Sequence, residues 1–279
     1  MEPMNVLEQV IVAANKANVE APGDYVENGL LHCGHCHTPK QTRKSILGRE
    51  MTIGCLCKCA AEERDKEDAE RRQREDADRI MRLRSAGISS QEFRNARFAL
   101  DDGQAPGPLG VLKKYVASWE RVYRDNVGLL LWGGVGTGKS FGAACVANAL
   151  IDKSVPACMV NLASVLNTLT NFQGNRNEYI QELMRYPLLV LDDFGMERRT
   201  EFATEQIFNL IDERYRSGKP LVLTTNLSIS TLKNPPSLEL ARIYDRLLEM
   251  CVPVNFGDNG RRQAKAETKM QRAAEFLLW

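Results

Sequence analysis

The stretch Gly128-Leu-Leu-Leu-Trp132-Gly133-Gly-Val-Gly-Thr-Gly138-Lys139-Ser140 joins a short apolar run to a glycine-rich turn. The turn fits the spacing G-x-x-x-x-G-K-[ST], and the segment after it, FGAACVANALI, has the composition of a helix. Backbone N–H groups can wrap a phosphate closely only where side chains are small, and a helix N-terminus adds partial positive charge. The stretch therefore predicts a strand, a phosphate-binding loop and a helix. A glycine-rich turn without a ligand is the alternative.

A nucleotide in this loop would contact residues from the turn and from the first turn of the helix. Lys139 would reach the β- and γ-phosphates, and Ser140 would hold Mg²⁺. The residues expected to bind the nucleotide are Gly133, Gly134, Gly136, Thr137, Gly138, Lys139, Ser140 and Phe141.

Two adjacent carboxylates follow a second apolar run, Leu188–Leu191. A strand that ends in acidic residues about fifty positions after a phosphate loop can complete the metal site. We expect Asp192 to share the Mg²⁺ ion with Ser140, and Asp193 to polarise the attacking water as a general base. The two segments together predict ATP and Mg²⁺ as cofactors.

Short apolar runs alternate with helix-length segments over most of the chain. The predicted strands are Val127–Trp132, Ala157–Val160, Leu188–Leu191, Leu221–Leu223 and Val252–Phe256. Such alternation is typical of an α/β fold with a parallel sheet that is covered on both faces. The sequence therefore predicts a five-stranded parallel sheet within a nucleotide-binding domain at residues 101–260.

Composition excludes several classes of protein. The chain has 279 residues, 43% of them hydrophobic, and Lys+Arg 37 against Asp+Glu 36 gives a net charge of +1. A dedicated duplex-DNA binder is usually more basic. No apolar run approaches the roughly 18 residues of a transmembrane helix. Because Glu2 and Glu8 stand where a secretory signal has basic residues, we expect a cytoplasmic protein without membrane contact.

The residues before the nucleotide-binding domain separate into two parts. Residues 1–60 are expected to hold an N-terminal helix and a cysteine-rich module, and residues 61–100 a charged helical linker. From Ala61 to Arg84 acidic and basic residues alternate at helical spacing, as in Glu67 with Arg71 and Glu70 with Arg74. Gly87 should end this helix, and a looser segment, Gly103–Pro108, should lead into the domain. Residues 261–279 are expected to form a C-terminal tail helix.

Five of the eight cysteines lie between Cys33 and Cys59. Four thiolates around Zn²⁺ form a closed tetrahedral site that can hold a domain too small to fold on its core alone. We expect the ligands to be Cys33, Cys36, Cys57 and Cys59, with Cys55 able to replace either of the last two. A Cys₃His site that uses His32, His35 or His37 stays open as an alternative.

The segment DDFGMERRTEFATEQIFNLIDERYRSGKPLVLTTNLS, from Asp192 to Ser228, resembles the AAA+ ATPases of the DnaC/DnaI type and their relatives, the IstB-like transposition ATPases. The resemblance runs from Phe98 to Arg262, and the cysteine-rich front end resembles that of phage and Firmicute-type helicase loaders. It implies an AAA+ P-loop fold with the lid reduced to the tail after Phe256.

The resemblance also implies roles for residues outside the phosphate loop. Asn226 matches the sensor 1 residue, and Arg261 matches the sensor 2 arginine, with Arg262 as its alternative. Arg246 matches the arginine finger that reaches a neighbouring subunit, with Arg242 as its alternative. Surface ion pairing would equally explain these arginines.

One departure from the family pattern concerns the residue after the first acid. Many AAA+ proteins have Glu there, and this chain has Asp193. The shorter side chain implies weak, switch-like hydrolysis, and it leaves a nucleotide-dependent scaffold with little hydrolysis as a further hypothesis.

The partners implied by the resemblance are a hexameric replicative helicase and single-stranded DNA. A finger in trans implies self-association into a ring or open spiral, and Phe172 and Arg176 are candidate DNA contacts. The function implied is ATP-dependent loading of the helicase during replication initiation or restart. The alternative is a transposase-partner ATPase that acts on duplex DNA.

Overall fold

The computed structural model describes residues 20–46, 48–101, 103, 105–171, 175–196, 200–258, 270 and 272–274. The predicted N-terminal helix and most of the predicted tail helix lie outside these residues. The chain divides into two compact units, Met1–Ala77 and Asp78–Trp279. The domain boundaries predicted from the sequence stay predictions.

Two short antiparallel hairpins form the sheet structure of the first unit. Strands β1 (Tyr25–Glu27) and β2 (Leu30–His32) pair with each other, as do β3 (Gln41–Ile46) and β4 (Arg49–Gly54). The β1–β2 turn is Asn28-Gly29, and both residues have positive φ angles, 51° and 72°. A type I′ turn requires this conformation at both positions, which Asn and Gly tolerate.

Helix α1 (Lys58–Gly87) contains the charged stretch and is longer than the sequence predicted. The predicted ion pair between Glu70 and Arg74 is present, at 3.3 Å. The predicted partner of Arg71 is wrong, because Arg71 pairs with Asp68 at 2.7 Å and with Glu75 at 3.9 Å.

Gly87 ends α1, as predicted, and the reason is a close backbone approach. A Cβ atom at this position would lie 2.0 Å from the carbonyl oxygen of Ala157. The next residue, Ile88, is fully buried and forms an isolated bridge with Met159.

The second unit contains a five-stranded parallel sheet, so the predicted α/β class is confirmed. The strands are β5 (Gly128–Trp132), β6 (Ala157–Asn161), β7 (Leu188–Phe194), β8 (Leu221–Thr225) and β9 (Cys251–Asn255). Their order across the sheet is β6-β7-β8-β5-β9. All five lie within a few residues of the predicted runs.

Helices surround this sheet. They are α2 (Gln91–Arg94), α3 (Pro106–Ala117), α4 (Trp119–Arg124), α5 (Lys139–Ile151), α6 (Leu162–Asn171), α7 (Arg176–Arg185), α8 (Glu201–Arg216), α9 (Ile229–Lys233) and α10 (Leu238–Met250). The predicted loose segment Gly103–Pro108 is shorter than expected, because Pro106 already occupies the first turn of α3. Proline suits that position, since its fixed φ is helical and its missing N–H is not needed there.

Both faces of the sheet are buried, as the continuous apolar runs predict. Leu130, Leu189 and Leu191 belong to one hydrophobic cluster, whereas Leu129, Leu131 and Val190 belong to another. Successive residues of a strand point to opposite faces, so each strand contributes to both clusters. Because β7, β8 and β5 are adjacent and parallel, their carboxyl ends lie at the same edge of the sheet. Among the described residues, no helix combines the length and the apolar character that a membrane crossing needs.

Candidate nucleotide and metal sites

The glycine-rich loop connects β5 directly to α5, as predicted. Gly133, Gly136 and Gly138 have φ angles of 141°, 77° and 98°, a region that L side chains rarely adopt. A Cβ atom on Gly133 would lie 2.5 Å from the carbonyl oxygen of Gly257, and the N–H of Gly134 donates to that oxygen at 2.8 Å. The first two glycines thus pack the loop against the segment after β9.

The side chain of Lys139 is buried within this loop. Its Nζ donates to the carbonyl oxygens of Gly133 at 3.0 Å and Gly134 at 2.6 Å, and to Oδ1 of Asn226 at 2.8 Å. Asn226 directly follows β8, so the sheet brings the predicted lysine and the predicted sensor 1 residue into contact. The Nδ2 atom of Asn226 lies 3.6 Å from the sulfur of Met196.

The two predicted acids lie at the end of β7, where the strand contains a bulge. Leu191 pairs with Leu223 and Phe194 pairs with Thr225, so Asp192 and Asp193 together oppose Thr224. Asp192 is buried, whereas Asp193 is exposed and has a φ angle of 62°. The bulge therefore separates the environments of two adjacent carboxylates.

Hydrogen bonds hold both acids. The hydroxyl of Thr224 donates to Oδ1 of Asp192 at 2.6 Å and accepts from the backbone N–H of Asp193 at 2.9 Å. Nδ2 of Asn161 donates to Oδ2 of Asp193 at 3.3 Å. The sequence did not identify Thr224 or Asn161, since their roles depend on pairing between strands.

Burial raises the pKa of the Asp192 carboxyl group, although hydrogen bonds from Thr224 and Ser140 oppose that shift. Ser140 and Asp192, the two predicted Mg²⁺ ligands, are therefore in contact. A hydroxyl and a carboxylate are the oxygen ligands that Mg²⁺ prefers. A divalent cation beside Asp192 would offset the cost of its burial, so these residues fit the ion.

A cleft of about 480 Å³ lies over the phosphate loop. Of the predicted nucleotide-binding residues, it is lined by Gly136, Thr137, Gly138, Lys139, Ser140 and Phe141, together with Asp193 and Asn226. Gly133 and Gly134 are not among its lining residues, because they pack against the segment after β9. Six further residues line it that sequence reasoning missed: Glu92, Phe93, Leu100, Asp101, Val135 and Met196. The sequence signal for the first four was weak, consisting of isolated aromatic and apolar side chains in a polar segment.

Arg246 lies on α10, apart from the cleft of its own chain. Its Nη2 lies 2.6 Å from Oδ1 of Asp212 on α8, and its guanidinium lies over the rings of Phe208 and Tyr215, 4.7 and 5.8 Å from their centroids. Arg242 is exposed and lines the same surface groove as Arg246. The finger assignment stays a prediction.

Four other predicted residues have no described contact with the cleft. Arg261, Arg262 and Phe172 lie outside the described residues. Arg176 is the first residue of α7, where its Nε donates to the carbonyl oxygen of Leu169 at 2.8 Å and its guanidinium lies 5.2 Å from the ring centroid of Phe202.

In the first unit, four thiols lie within 4.8 Å of one another, those of Cys33, Cys36, Cys57 and Cys59. The sulfur of Cys59 is 3.6 Å from that of Cys33 and 3.4 Å from that of Cys57. Zn–S bonds of about 2.3 Å in a tetrahedron place sulfurs about 3.8 Å apart. The spacing of the thiols is therefore compatible with zinc. Cys55 lies apart, with its thiol 3.5 Å from the carbonyl oxygen of Pro39.

The thiols differ in how readily they lose a proton. The pKa of Cys36 is lowered to about 5, and the largest cause is a hydrogen bond with the hydroxyl of Thr38. Hydrogen bonds from backbone N–H groups lower the pKa of Cys33. Hydrogen bonds with the other three thiols raise the pKa of Cys59 to about 12, and the bond with Cys57 has the largest effect. The loops thus stabilise the first thiolates, but complete ionisation of the cluster needs a cation at its centre.

The three histidines of this unit are not members of the four-residue group. Nδ1 of His32 lies 3.0 Å from the carbonyl oxygen of Leu30, and its ring stacks on Tyr25 at a centroid distance of 5.5 Å. A partly buried ion pair, Asp24 with Lys40, supports the loop between Cys33 and Cys36, since Oδ1 of Asp24 accepts from the N–H of Gly34 at 3.0 Å.

Comparison with known proteins places this architecture in a family. The chain is similar to the replicative helicase loader DnaI of Bacillus subtilis, with 25% identity over 187 residues, which are 62% of this chain and 60% of DnaI. It is also similar to an ATP-binding protein in an insertion sequence of Mycobacterium tuberculosis, with 30% identity over 100 residues, 35% of this chain and 40% of that protein. The chain thus spans less than two thirds of the length of these relatives.

Two solved structures share the fold of this chain. The crystal structure of DnaI has a TM-score of 0.55 at 24% identity, over 65% of this chain and all of that one. That of the DnaC helicase loader has a TM-score of 0.51 at 21% identity, over 60% of this chain and 99% of that one. The family model described as IstB-like ATP binding protein matches residues 62–269. Because this match covers more than half of the chain, the chain belongs to the family of IstB-like ATP binding proteins.

Proposed function

We propose that this protein is an ATP-dependent loader of a hexameric replicative helicase, which it delivers onto single-stranded DNA in the cytoplasm. One observation carries the proposal: Lys139, Asn226 and Asp193 line one cleft in a chain that is similar to DnaI and DnaC. A loader needs a site that distinguishes nucleotide states and a surface that contacts the helicase. The two units of the chain suit these two tasks.

The second unit would bind the nucleotide. Loop N–H groups and Lys139 would bind the phosphates, and Phe93 and Leu100, which also line the cleft, would offer apolar surface for the base. Ser140 and Asp192 would hold Mg²⁺, which neutralises charge on the phosphates when bound. Asn226 already contacts Lys139 and could carry a change in the phosphate chain to the end of β8.

Hydrolysis would be weak and switch-like. Asp193 is the residue placed to orient the attacking water, because it is exposed at the cleft. Its side chain is one methylene shorter than Glu, and Asn161 already occupies one of its oxygens. Both features favour slow turnover, which suits a protein that changes state once in each loading event.

The first unit would bind Zn²⁺ through its four clustered thiols and contact the helicase. The four cysteines precede residue 62, where the family match begins, so the module is an addition to the shared ATP-binding part. A closed site of four thiolates would stabilise a unit whose hairpins bury few apolar side chains.

Self-association into a ring or open spiral would bring Arg246 toward a neighbour's nucleotide. Arg246 lies on α10, outside the cleft of its own chain, as a residue that acts in trans must. Single-stranded DNA would then lie in the central channel, with Phe172 and Arg176 as candidate contacts.

A transposase-partner ATPase on duplex DNA is the second candidate, favoured by the similarity to the insertion-sequence protein. The cysteine module and the longer match to DnaI favour the loader.

The test mixes the purified chain with the replicative helicase of its source and closed circular single-stranded DNA, in ATP or in ADP. Because a circle has no end to thread, helicase that co-elutes with the DNA has been loaded by ring opening. We expect co-elution that depends on this chain and on ATP.

A set of controls separates the candidates. Lys139→Ala should abolish loading, whereas Lys114→Ala, a change of an exposed lysine on α3, should not. Retention of the chain on duplex DNA with ATP, without retention of helicase, would instead support the transposition role.

A further inference from the structure

Thr224 is fully buried at the carboxyl end of β8, next to the two acids of the nucleotide site. The bulge in β7 leaves two residues, Asp192 and Asp193, opposite this single threonine. An inserted residue in a bulge loses its place in the regular ladder of hydrogen bonds. The N–H of Asp193 therefore needs a partner outside the ladder.

The hydroxyl of Thr224 supplies that partner. It accepts from the N–H of Asp193 at 2.9 Å and donates to Oδ1 of Asp192 at 2.6 Å. A hydroxyl has one proton to donate and lone pairs to accept, so it can form both bonds at once. Val has the same branched shape but can form neither.

These two bonds act on different properties of the acids. The bond to Oδ1 fixes the rotation of the buried Asp192 carboxyl group, which also contacts Ser140. The bond from the Asp193 N–H stabilises a backbone with a φ angle of 62°, which L residues adopt with strain. That conformation directs Asp193 outward, so that it lines the cleft while its neighbour stays buried.

We propose that Thr224 is a positioning residue that sets both carboxylates, Asp192 for the metal and Asp193 for the attacking water. The inference rests on the proposed Mg²⁺-dependent hydrolysis of ATP. Thr224 does not line the cleft, so it acts only through the two acids.

Two substitutions separate the hydroxyl from the shape of the side chain. Thr224→Val keeps the shape and removes both hydrogen bonds, and Thr224→Ser keeps the hydroxyl and removes a methyl group. Phosphate release is measured against Mg²⁺ concentration, and binding of a fluorescent ATP analogue is measured in EDTA. If Thr224→Val does not fold, the pair Thr224→Ala and Thr224→Ser differs by the hydroxyl alone and replaces it.

We expect Thr224→Val to raise the Mg²⁺ concentration for half-maximal hydrolysis about 10- to 100-fold, as loss of a residue that orients a metal ligand usually does. Thr224→Ser should behave like the wild type, and analogue binding in EDTA should be the same in all variants. A merely structural role would impair the analogue binding of both variants together.

Two results would overturn the inference. If the wild type hydrolyses ATP and Thr224→Val has the same Mg²⁺ dependence, the role of Thr224 is wrong and the proposed function stands. If the wild type shows no Mg²⁺-dependent hydrolysis, the proposed function fails and the inference with it.

Discussion

The ammonium group of Lys139 donates a 2.8 Å hydrogen bond to the amide oxygen of Asn226, a residue 87 positions later in the chain. Two loop carbonyls accept its other described hydrogen bonds. These three acceptors are neutral, and a bond from the ammonium group to an anionic phosphate is stronger than a bond to any of them.

The contact between Lys139 and Asn226 predicts different effects for two substitutions of Asn226. Asn226→Asp would place a carboxylate against the lysine, and we expect it to weaken ATP binding by about tenfold or more, since the ammonium group binds an anionic carboxylate more strongly than a neutral amide oxygen. Asn226→Ala should leave binding close to wild type and lower hydrolysis about 100-fold, by loss of a preorganised polar group. Equilibrium binding and phosphate release measure the two effects. Equal loss of binding in both variants would contradict the role of the amide.

The cysteine cluster predicts which thiols hold a metal. Cys57→Ser should lower zinc content from one equivalent to near zero and destabilise the first unit, because the cluster loses one of its four sulfurs. Cys55→Ser is the matched control, since this thiol lies outside the cluster, and it should retain zinc. Elemental analysis of the purified full chain measures both. Zinc loss in Cys55→Ser alone would instead place Cys55 in the metal site.

We expect substitution of the buried Arg214 to lower the stability of the protein substantially. Its guanidinium is fully buried and donates to the carbonyl oxygens of Tyr186, Pro187 and Pro220, which directly precede β7 and β8. Arg214→Met would remove the guanidinium donor from all three carbonyl oxygens, of which that of Pro220 keeps the N–H of Leu189, at a cost of about 2–4 kcal/mol in the free energy of unfolding.

Arg216 is the control for this change on the same helix. Its side chain is 69% exposed and forms one ion pair, so Arg216→Ala should cost no more than about 1 kcal/mol. Urea denaturation compares the two variants. Equal costs would show that the three carbonyl contacts contribute little.

We expect substitution of Arg246 to affect ATP hydrolysis in the assembled protein but not in the free protein. In Arg246→Ala we expect unchanged nucleotide binding and loss of the hydrolysis that assembly stimulates, about 10³-fold if the residue acts as a finger. Because Asp212 would also lose a partner, thermal stability is measured in parallel. Arg242→Ala should retain stimulated hydrolysis. The reverse pattern would identify Arg242 as the arginine finger. Normal stimulation in both variants would show that the finger does not lie on α10.

Much of the fold could be predicted from the sequence because its signals are local. Strands β5 to β8 are buried on both faces and therefore appear as continuous apolar runs. The five predicted runs match five strands, of which the edge strand β9 is partly exposed. The ion pair between Glu70 and Arg74 follows from spacing along one helix, and the glycine at position 87 is itself a local signal for the helix end. The N–H groups of the phosphate loop likewise come from consecutive residues.

Contacts between distant segments could not be predicted in this way. Nothing in the run Leu188–Asp193 indicates a bulge, and therefore nothing indicates that Thr224 would contact both acids. The pairing of Arg246 with Asp212, rather than with acids of its own helix, depends on how α10 packs against α8. Phe93 and Leu100 reach the cleft only because their segment folds over the phosphate loop.

The sequence by itself determined the phosphate loop, the positions of the strands along the chain and the cysteine-rich character of the first sixty residues, since each depends on neighbours within a few positions. Only the tertiary structure decided the order of the strands across the sheet, that Cys55 lies outside the thiol cluster, which acid is buried and what Lys139 contacts. Those outcomes depend on register and packing between segments, where a shift of one residue changes every partner.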